Sequence, residues 1–248
     1  FICFFTEMWE RFSYYGMRAL LIFYLVQHWG FTDGSEYILY GAYTSLVYMM
    51  PVIGGVLADR YLGSRKAVTF GAILLVFGHT LMTIENNVQI FYLSLALIIS
   101  GVGFLKPNIS TMVGALYPDG DPRRDSGFTI FYMGINIGAA SASILCGYLG
   151  QTYGWAYGFG AAGVGMLFGL VVFLWGQKYL DGHAEPPSNE YKERYLGISK
   201  ENWCYISGIL MVLVCWVLIQ YTNVVGGLLA VLGSISIIFW LYYSLKKC

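Results

Sequence analysis

Eight stretches of this chain each run for roughly 20 residues with few charges, the length and character a helix needs to cross the hydrocarbon of a bilayer. They lie at about 1–27, 37–58, 67–84, 90–116, 127–149, 155–177, 203–221 and 224–245. With 57% of the 248 residues hydrophobic and only 11% charged, the chain reads as an all-α polytopic membrane protein and not as a soluble core. Its 14 basic and 14 acidic residues cancel, so nothing marks nucleic acid as a partner; the lipid bilayer is the first partner implied. Phe1 is followed by no basic n-region and no small-residue cleavage site, so the first stretch is read as a span and not a signal peptide, and the true start is expected upstream.

Among the connections, lysine and arginine fall only in alternate ones. Segments 28–36, 85–89, 150–154 and 222–223 hold none, whereas 59–66, 117–126 and 178–202 hold Arg60, Arg65, Lys66, Arg123, Arg124, Lys178, Lys192, Arg194 and Lys200. Positive loops stay cytoplasmic, which puts both ends there, with Lys246 and Lys247 closing the last span on the same side. The longest connection carries Pro186 and Pro187 and divides six spans from a final pair. It is read as a solvated linker and a boundary.

Five charges remain at membrane depth: Glu7, Glu10, Arg11 and Arg18 in the first span and Lys106 in the fourth. Unpaired, each would cost about 2.5–3.5 kcal/mol at mid-bilayer, so they must face protein or water. At ~100° per residue the four in the first span share a stripe roughly 100° wide, with Tyr14 inside it and Tyr15 at its margin. Phe5, Phe12, Ala19, Ile22 and Phe23 make the other side apolar. A structural ion-pair network accounts for Glu7 with Arg11, an i to i+4 pair, and can recruit Lys106. It leaves one cation over, assigned to Arg18, and the planar arginine fork suits an anionic ligand group. The carboxylates also suit proton coupling, because a buried glutamate takes up a proton when its cation is drawn away.

Lys106 lies in ISGVGFLKPNIS, where Pro107, Gly101 and Gly103 predict a kink near the lysine. Interrupted helices of this kind point to a transporter binding site; the plainer reading is close packing through glycine.

The run E-x-x-E-R-F-S-Y-Y-G from Glu7 to Gly16 closely resembles the first-helix motif of the proton-dependent oligopeptide transporters, a branch of the major facilitator superfamily. GGVLADRYLGSRKAVTFGAILLVFG, residues 54–78, resembles that family's signature across helices two and three, and FTIFYMGINIGAA, residues 128–140, its fifth-helix signature, departing at Ala140. The resemblance implies a proton-coupled symporter importing di- and tripeptides, with protons as the coupling ion and no cofactor. It implies proton coupling at Glu7, Glu10 and Arg11 with Lys106 as cross-helix partner, and peptide contacts at Tyr14, Tyr15, Arg18, Tyr48, Lys106 and Asn136. Where animal members carry a functional histidine on helix two this chain has Gly41, so proton handling rests on the carboxylates. Gly55, Asp59, Arg60 and Gly63 match the gate loop between helices two and three. There the glycines, with Gly54, permit close approach and a tight turn, Asp59 can cap a helix N-terminus, and the basic residues can face lipid headgroups.

The domain organisation expected is a six-helix N-terminal bundle over 1–177, a cytoplasmic linker over 178–202 and an additional transmembrane pair over 203–248. That pair resembles the one prokaryotic members insert between their bundles, which favours a bacterial inner membrane. Gly226, Gly227 and Gly233 suit its close packing. The family's second six-helix bundle is missing, so these residues alone are not expected to transport. A relative carrying nitrate or another metabolite is the alternative within transport, and a non-transporting membrane scaffold the alternative outside it. An enzyme is not expected: Ser13, Ser45 and Ser110 lack an adjacent histidine or a GxSxG context. Neither the scattered cysteines Cys3, Cys146, Cys204, Cys215 and Cys248, read as packing residues, nor His28, His79 and His183, read as polar interfacial residues, have metal-site spacing.

Overall fold

The structure, a computed structural model, describes residues 1–32, 34–118, 120–180, 182–186 and 189–247; the side chains of 189, 190, 232, 241 and 244–247 are outside that description. Pro187 and Cys248, and the side chains of Lys246 and Lys247, therefore lie outside the described residues. Eight long helices follow in order: α1 (Ile2–Gln27), α2 (Ser35–Leu57), α3 (Ser64–Leu81), α4 (Val88–Ala115), α5 (Arg123–Tyr153), α6 (Trp155–Gly176), α7 (Lys200–Gln220) and α8 (Thr222–Lys247). Six of them, all but α1 and α3, are long and apolar enough to cross a membrane by length and composition. The chain is an all-α membrane protein with about six candidate spans. α1 fails that criterion because of Glu7, Glu10, Arg11 and Arg18, and the shorter α3 opens on Ser64, Arg65 and Lys66.

Helix ends follow local chemistry. The Asn87 side chain caps α4 by accepting from the amides of Gln89 and Ile90, and Ser199 caps α7 by accepting from Asn202, each satisfying donors a helix start leaves open. α5 starts at Arg123, earlier than the expected 127, with Pro122 as its N-cap residue.

Apolar helices in lipid gain nothing from burying oil in oil, so they associate through close backbone approach at small residues. Gly71 on α3 faces Gly101 on α4 so closely that a Cβ at either would stand 2.6–2.8 Å from the other's carbonyl oxygen. Gly54 on α2 meets Gly103 on α4 more tightly still, at 2.2 Å, and Gly138 on α5 meets the Met8 carbonyl of α1 at the same distance. α1 packs chiefly between α5 and α6, and α4 against α3, α2 and α7. α4 is helical from Val88 through Pro107 to Ala115, and its Gly101 and Gly103 serve close packing. In α8 the expectation reverses, since nothing lies within 4 Å of a Cβ at Gly226, Gly227 or Gly233 and the helix is largely exposed. His79 is not interfacial either; α6 comes close enough at Gly163 to enclose it completely, and neither ring nitrogen has a partner. Cys3, Cys146, Cys204 and Cys215 are buried free thiols.

Between α2 and α3 the chain makes one π turn, Ala58–Leu62, closed by the Gly63 amide donating to the Ala58 carbonyl. The wider turn points Ala58 and Leu62 inward and leaves Asp59 and Arg60 exposed. Asp59 therefore does not cap α3, whose N-terminus has no side-chain cap. Gly63 is required twice: its φ of +72° is left-handed, and a Cβ there would stand 2.6 Å from the Glu185 and Pro186 backbone.

That contact ties part of the expected linker over 178–202 to the turn before α3, although most of its described residues stay exposed. The segment folds back on the start of α3, where basic side chains and an open helix N-terminus provide partners. Arg65 donates its amide to the Ala184 carbonyl at 3.1 Å, its Nε and second terminal nitrogen to the two Glu185 oxygens at 2.6 and 3.1 Å, and its other terminal nitrogen to Gln177 at 2.9 Å. Lys66 pairs with Glu201 at 2.7 Å and lies 4.6 Å from the Tyr191 ring centroid. Arg65 and Lys66 thus hold protein carboxylates. A hairpin follows, Arg194–Tyr195 against Ile198–Ser199, turned by Leu196 and Gly197 at φ 53° and 80°, the geometry of a type I′ turn. Removing Glu185 in the intact protein (Glu185→Ala) should speed deuterium exchange at the Arg65 amide about fivefold, equivalent to ~1 kcal/mol for an outlying bidentate pair. Unchanged exchange would show that the backbone contacts alone hold the segment.

Candidate functional site

The site is built on the charged stripe of α1. Glu7, Glu10 and Arg11 are all buried, at 2%, 0% and 3% exposure, because α1 is surrounded by α5, α6, α2 and α4. Arg11 serves both carboxylates. Its Nε and one terminal nitrogen grip the two oxygens of Glu10, the second at 2.6 Å, while Glu7 Oε1 lies 3.3 Å from the same Nε. Glu7 Oε2 is buried without a hydrogen-bond partner. The Tyr14 ring lies 5.1 Å and the Tyr15 ring 5.9 Å from the guanidinium carbon, near enough for cation–π attraction. Breaking a buried pair by deleting one member costs about 3–5 kcal/mol, so this cluster also fixes the helix packing.

Lys106, the expected cross-helix partner of these carboxylates, acts on them from a distance and not through a close ion pair. Lys106 on α4 is within electrostatic reach of Arg11, Glu10 and Glu7, but among the described residues it makes no ion pair within 4 Å, while Arg11 pairs with both glutamates. Its ammonium instead lies 5.1 Å from the centroid of the Tyr48 ring on α2. Arg18, the surplus cation by charge counting, donates through Nε to the Tyr40 hydroxyl, and its guanidinium carbon is 5.6 Å from the Tyr40 ring centroid. Two cations, Arg18 and Lys106, therefore stand partly exposed on aromatic rings without a described carboxylate partner.

Tyr48 is 60% exposed. Asn136 is exposed on α5, where its amide donates to the Tyr132 carbonyl at 3.1 Å; among the described residues no hydrogen bond joins it to the α1 cluster. A Cβ at Gly55 would stand at ordinary contact distance from Pro107, 3.7 Å, leaving Gly54 as the close-packing member of that pair. Asp59, Arg60 and Gly63 lie on the loop side, apart from the cluster. The sequence reading missed Tyr40 and Tyr43, whose spacing of three residues in α2 places both toward one side. Among the described residues no grouping of three or more His, Cys, Asp or Glu side chains forms a candidate metal site.

Residues 65–193, more than half of the chain, match the profile of the POT family, PTR2. The chain is 53% identical over 178 residues to the uncharacterized transporter YclF of Bacillus subtilis strain 168, covering 70% of this chain and 36% of that protein. It is 36% identical over 251 residues to the di-/tripeptide transporter of Lactococcus lactis subsp. cremoris, covering 96% of this chain and 50% of that protein. Among solved structures, a mutant peptide transporter POT in complex with alafosfalin superposes with a TM-score of 0.79 at 40% identity, over 97% of this chain and 50% of that one. The chain thus spans about half the length, or less, of the relatives it matches. With the profile match, the shared fold and the charged first-helix run together, this multi-pass membrane protein belongs to the POT family.

Proposed function

We propose that this chain is the N-terminal half, with an inserted helix pair, of a proton-coupled symporter that imports di- and tripeptides. In this reading residues 1–177 are the six-helix bundle of the major facilitator fold, 178–202 the cytoplasmic linker and 203–248 the additional pair. A second six-helix bundle in the full-length protein supplies the other wall of the cavity. The observation that carries the reading is the uneven charge arrangement. Arg11 holds two buried carboxylates, one with an unbonded oxygen, while Arg18 and Lys106 rest only on tyrosines. Arg18 and Lys106 are the groups that attract a peptide carboxylate, with Tyr14, Tyr15, Tyr48 and Asn136 as further contacts. A carboxylate arriving at the cations redistributes the pairing, and a glutamate released from Arg11 takes a proton because a lone buried charge is too costly. Exchange of partners then couples substrate to proton, and the bundles reorient around the site. The names of the Lactococcus relative and of the superposed structure support peptides as the substrate class.

Proteoliposome uptake by the full-length protein tests the coupling. Glu7→Gln and Glu10→Gln should each reduce gradient-driven dipeptide accumulation at least ~10-fold while peptide exchange without a gradient continues. Gradient-driven uptake that persists with only affinity altered would remove the coupling role.

Arg18 is read as a substrate cation held by Tyr40. Arg18→Ala should raise the peptide KM roughly 10- to 100-fold, the range of a charge-assisted hydrogen bond, and Tyr40→Phe should raise it less than ~10-fold. Competition of labelled dipeptide by unlabelled peptides and by nitrate separates peptide from other solutes; displacement by nitrate alone would favour the alternative cargo.

A further inference from the structure

Inside the contact between α1 and α2 two tyrosine hydroxyls are buried with nothing bonded to them. The bond from Arg18 to Tyr40 fixes the register of these consecutive, antiparallel helices. Moving back along α1 and forward along α2 by one turn brings Tyr14 opposite Tyr43. Tyr43 is 0% exposed. Electrostatically it faces Tyr14, Glu10 and Arg11 from α1 and Tyr40 from its own helix, while Lys106 from α4 faces the Glu7, Glu10 and Arg11 cluster behind them.

An unbonded buried hydroxyl costs about 1–3 kcal/mol, and phenylalanine would fill the same space without that cost. The hydroxyl has no role in the conformation seen, because Arg11 occupies both Glu10 oxygens. It acquires one when Arg11 turns away. Glu10 is then a carboxylate without its cation, and the buried hydroxyls of Tyr14 and Tyr43 are neutral donors in its electrostatic surroundings that have no partner among the described residues.

We propose that Tyr43 is a positioning residue of the proton switch, the reserve donor that hydrogen-bonds the Glu10 carboxylate when Arg11 releases it. The inference rests on the proton-coupling reading of Glu7, Glu10 and Arg11. A donor in reserve lets Glu10 remain ionised for part of the cycle, so Tyr43 sets the pH above which release of Arg11 no longer brings a proton with it. Without the hydroxyl, the released carboxylate is less stable as an anion and takes a proton at higher pH.

The test is Tyr43→Phe in the full-length protein, with Tyr43→Met as a second filling of the same space without a hydroxyl. Proton-driven uptake is followed against pH, together with peptide affinity. The carboxylic-acid infrared band that disappears in Glu10→Gln is titrated as a readout independent of transport. The alkaline limb of uptake and the midpoint of that band should both move up by about one pH unit, the equivalent of losing one hydrogen bond to a charge, with peptide KM within about twofold of the parent. An unmoved band in either folded variant, or a change in affinity alone, overturns the proposal. If the unmodified protein shows no proton-driven uptake and the band still moves, the positioning role stands and the transport reading falls.

Discussion

The arrangement of the whole first half of the chain depends on one arginine serving two glutamates inside a helix that lies among apolar neighbours. Glu7, Glu10 and Arg11 cannot remain in lipid singly, and as a cluster they are tolerable only when enclosed. α1 is accordingly the central helix, contacted by α5 and α6 on one side and by α2 and α4 on another. Because Arg11 pairs with both acids locally, Arg18 and Lys106 are left to tyrosines, which stabilise them without neutralising them. The arrangement keeps positive charge available beside a buried acid pair, as the proposed coupling requires.

Enclosure is achieved by glycine. Close contacts of Gly54 with Gly103, Gly71 with Gly101 and Gly138 with Met8 bring backbones together where side chains would hold them apart. These positions are rigid for the same reason that they are close: no rotamer can be exchanged across a backbone contact. α8 lacks such contacts and stands largely exposed, so the final pair is unequal, with α7 fastened along α4 and α8 at its edge.

The face with basic connections is organised differently, by charge and backbone hydrogen bonds. Arg65 alone connects the start of α3 to the end of α6 and to the segment after it, and Lys66 reaches Glu201 at the start of α7. Loop and helix ends are joined into one surface there, with Gly63 admitting the chain that lies over it.

Much of this was legible in the sequence because lipid leaves a chain few options. Span length, the alternation of basic connections, the stripe of α1 and the i to i+4 pairing of Glu7 with Arg11 follow from helical geometry and the cost of charge in hydrocarbon, both of which act along one segment. The motifs at Glu7–Gly16 and across 54–78 were equally local. What tertiary structure decided was which groups meet across helices. Arg11 took Glu10 as well as Glu7, and Lys106 was left to Tyr48. Arg18 found Tyr40, Tyr43 came within electrostatic reach of Tyr14, His79 was buried with Gly163 of α6 beside it, and Ala184 and Glu185 paired with Arg65. Helix periodicity fixes the side a residue faces but not the depth and rotation at which two helices meet, and those were set by where glycines let backbones touch.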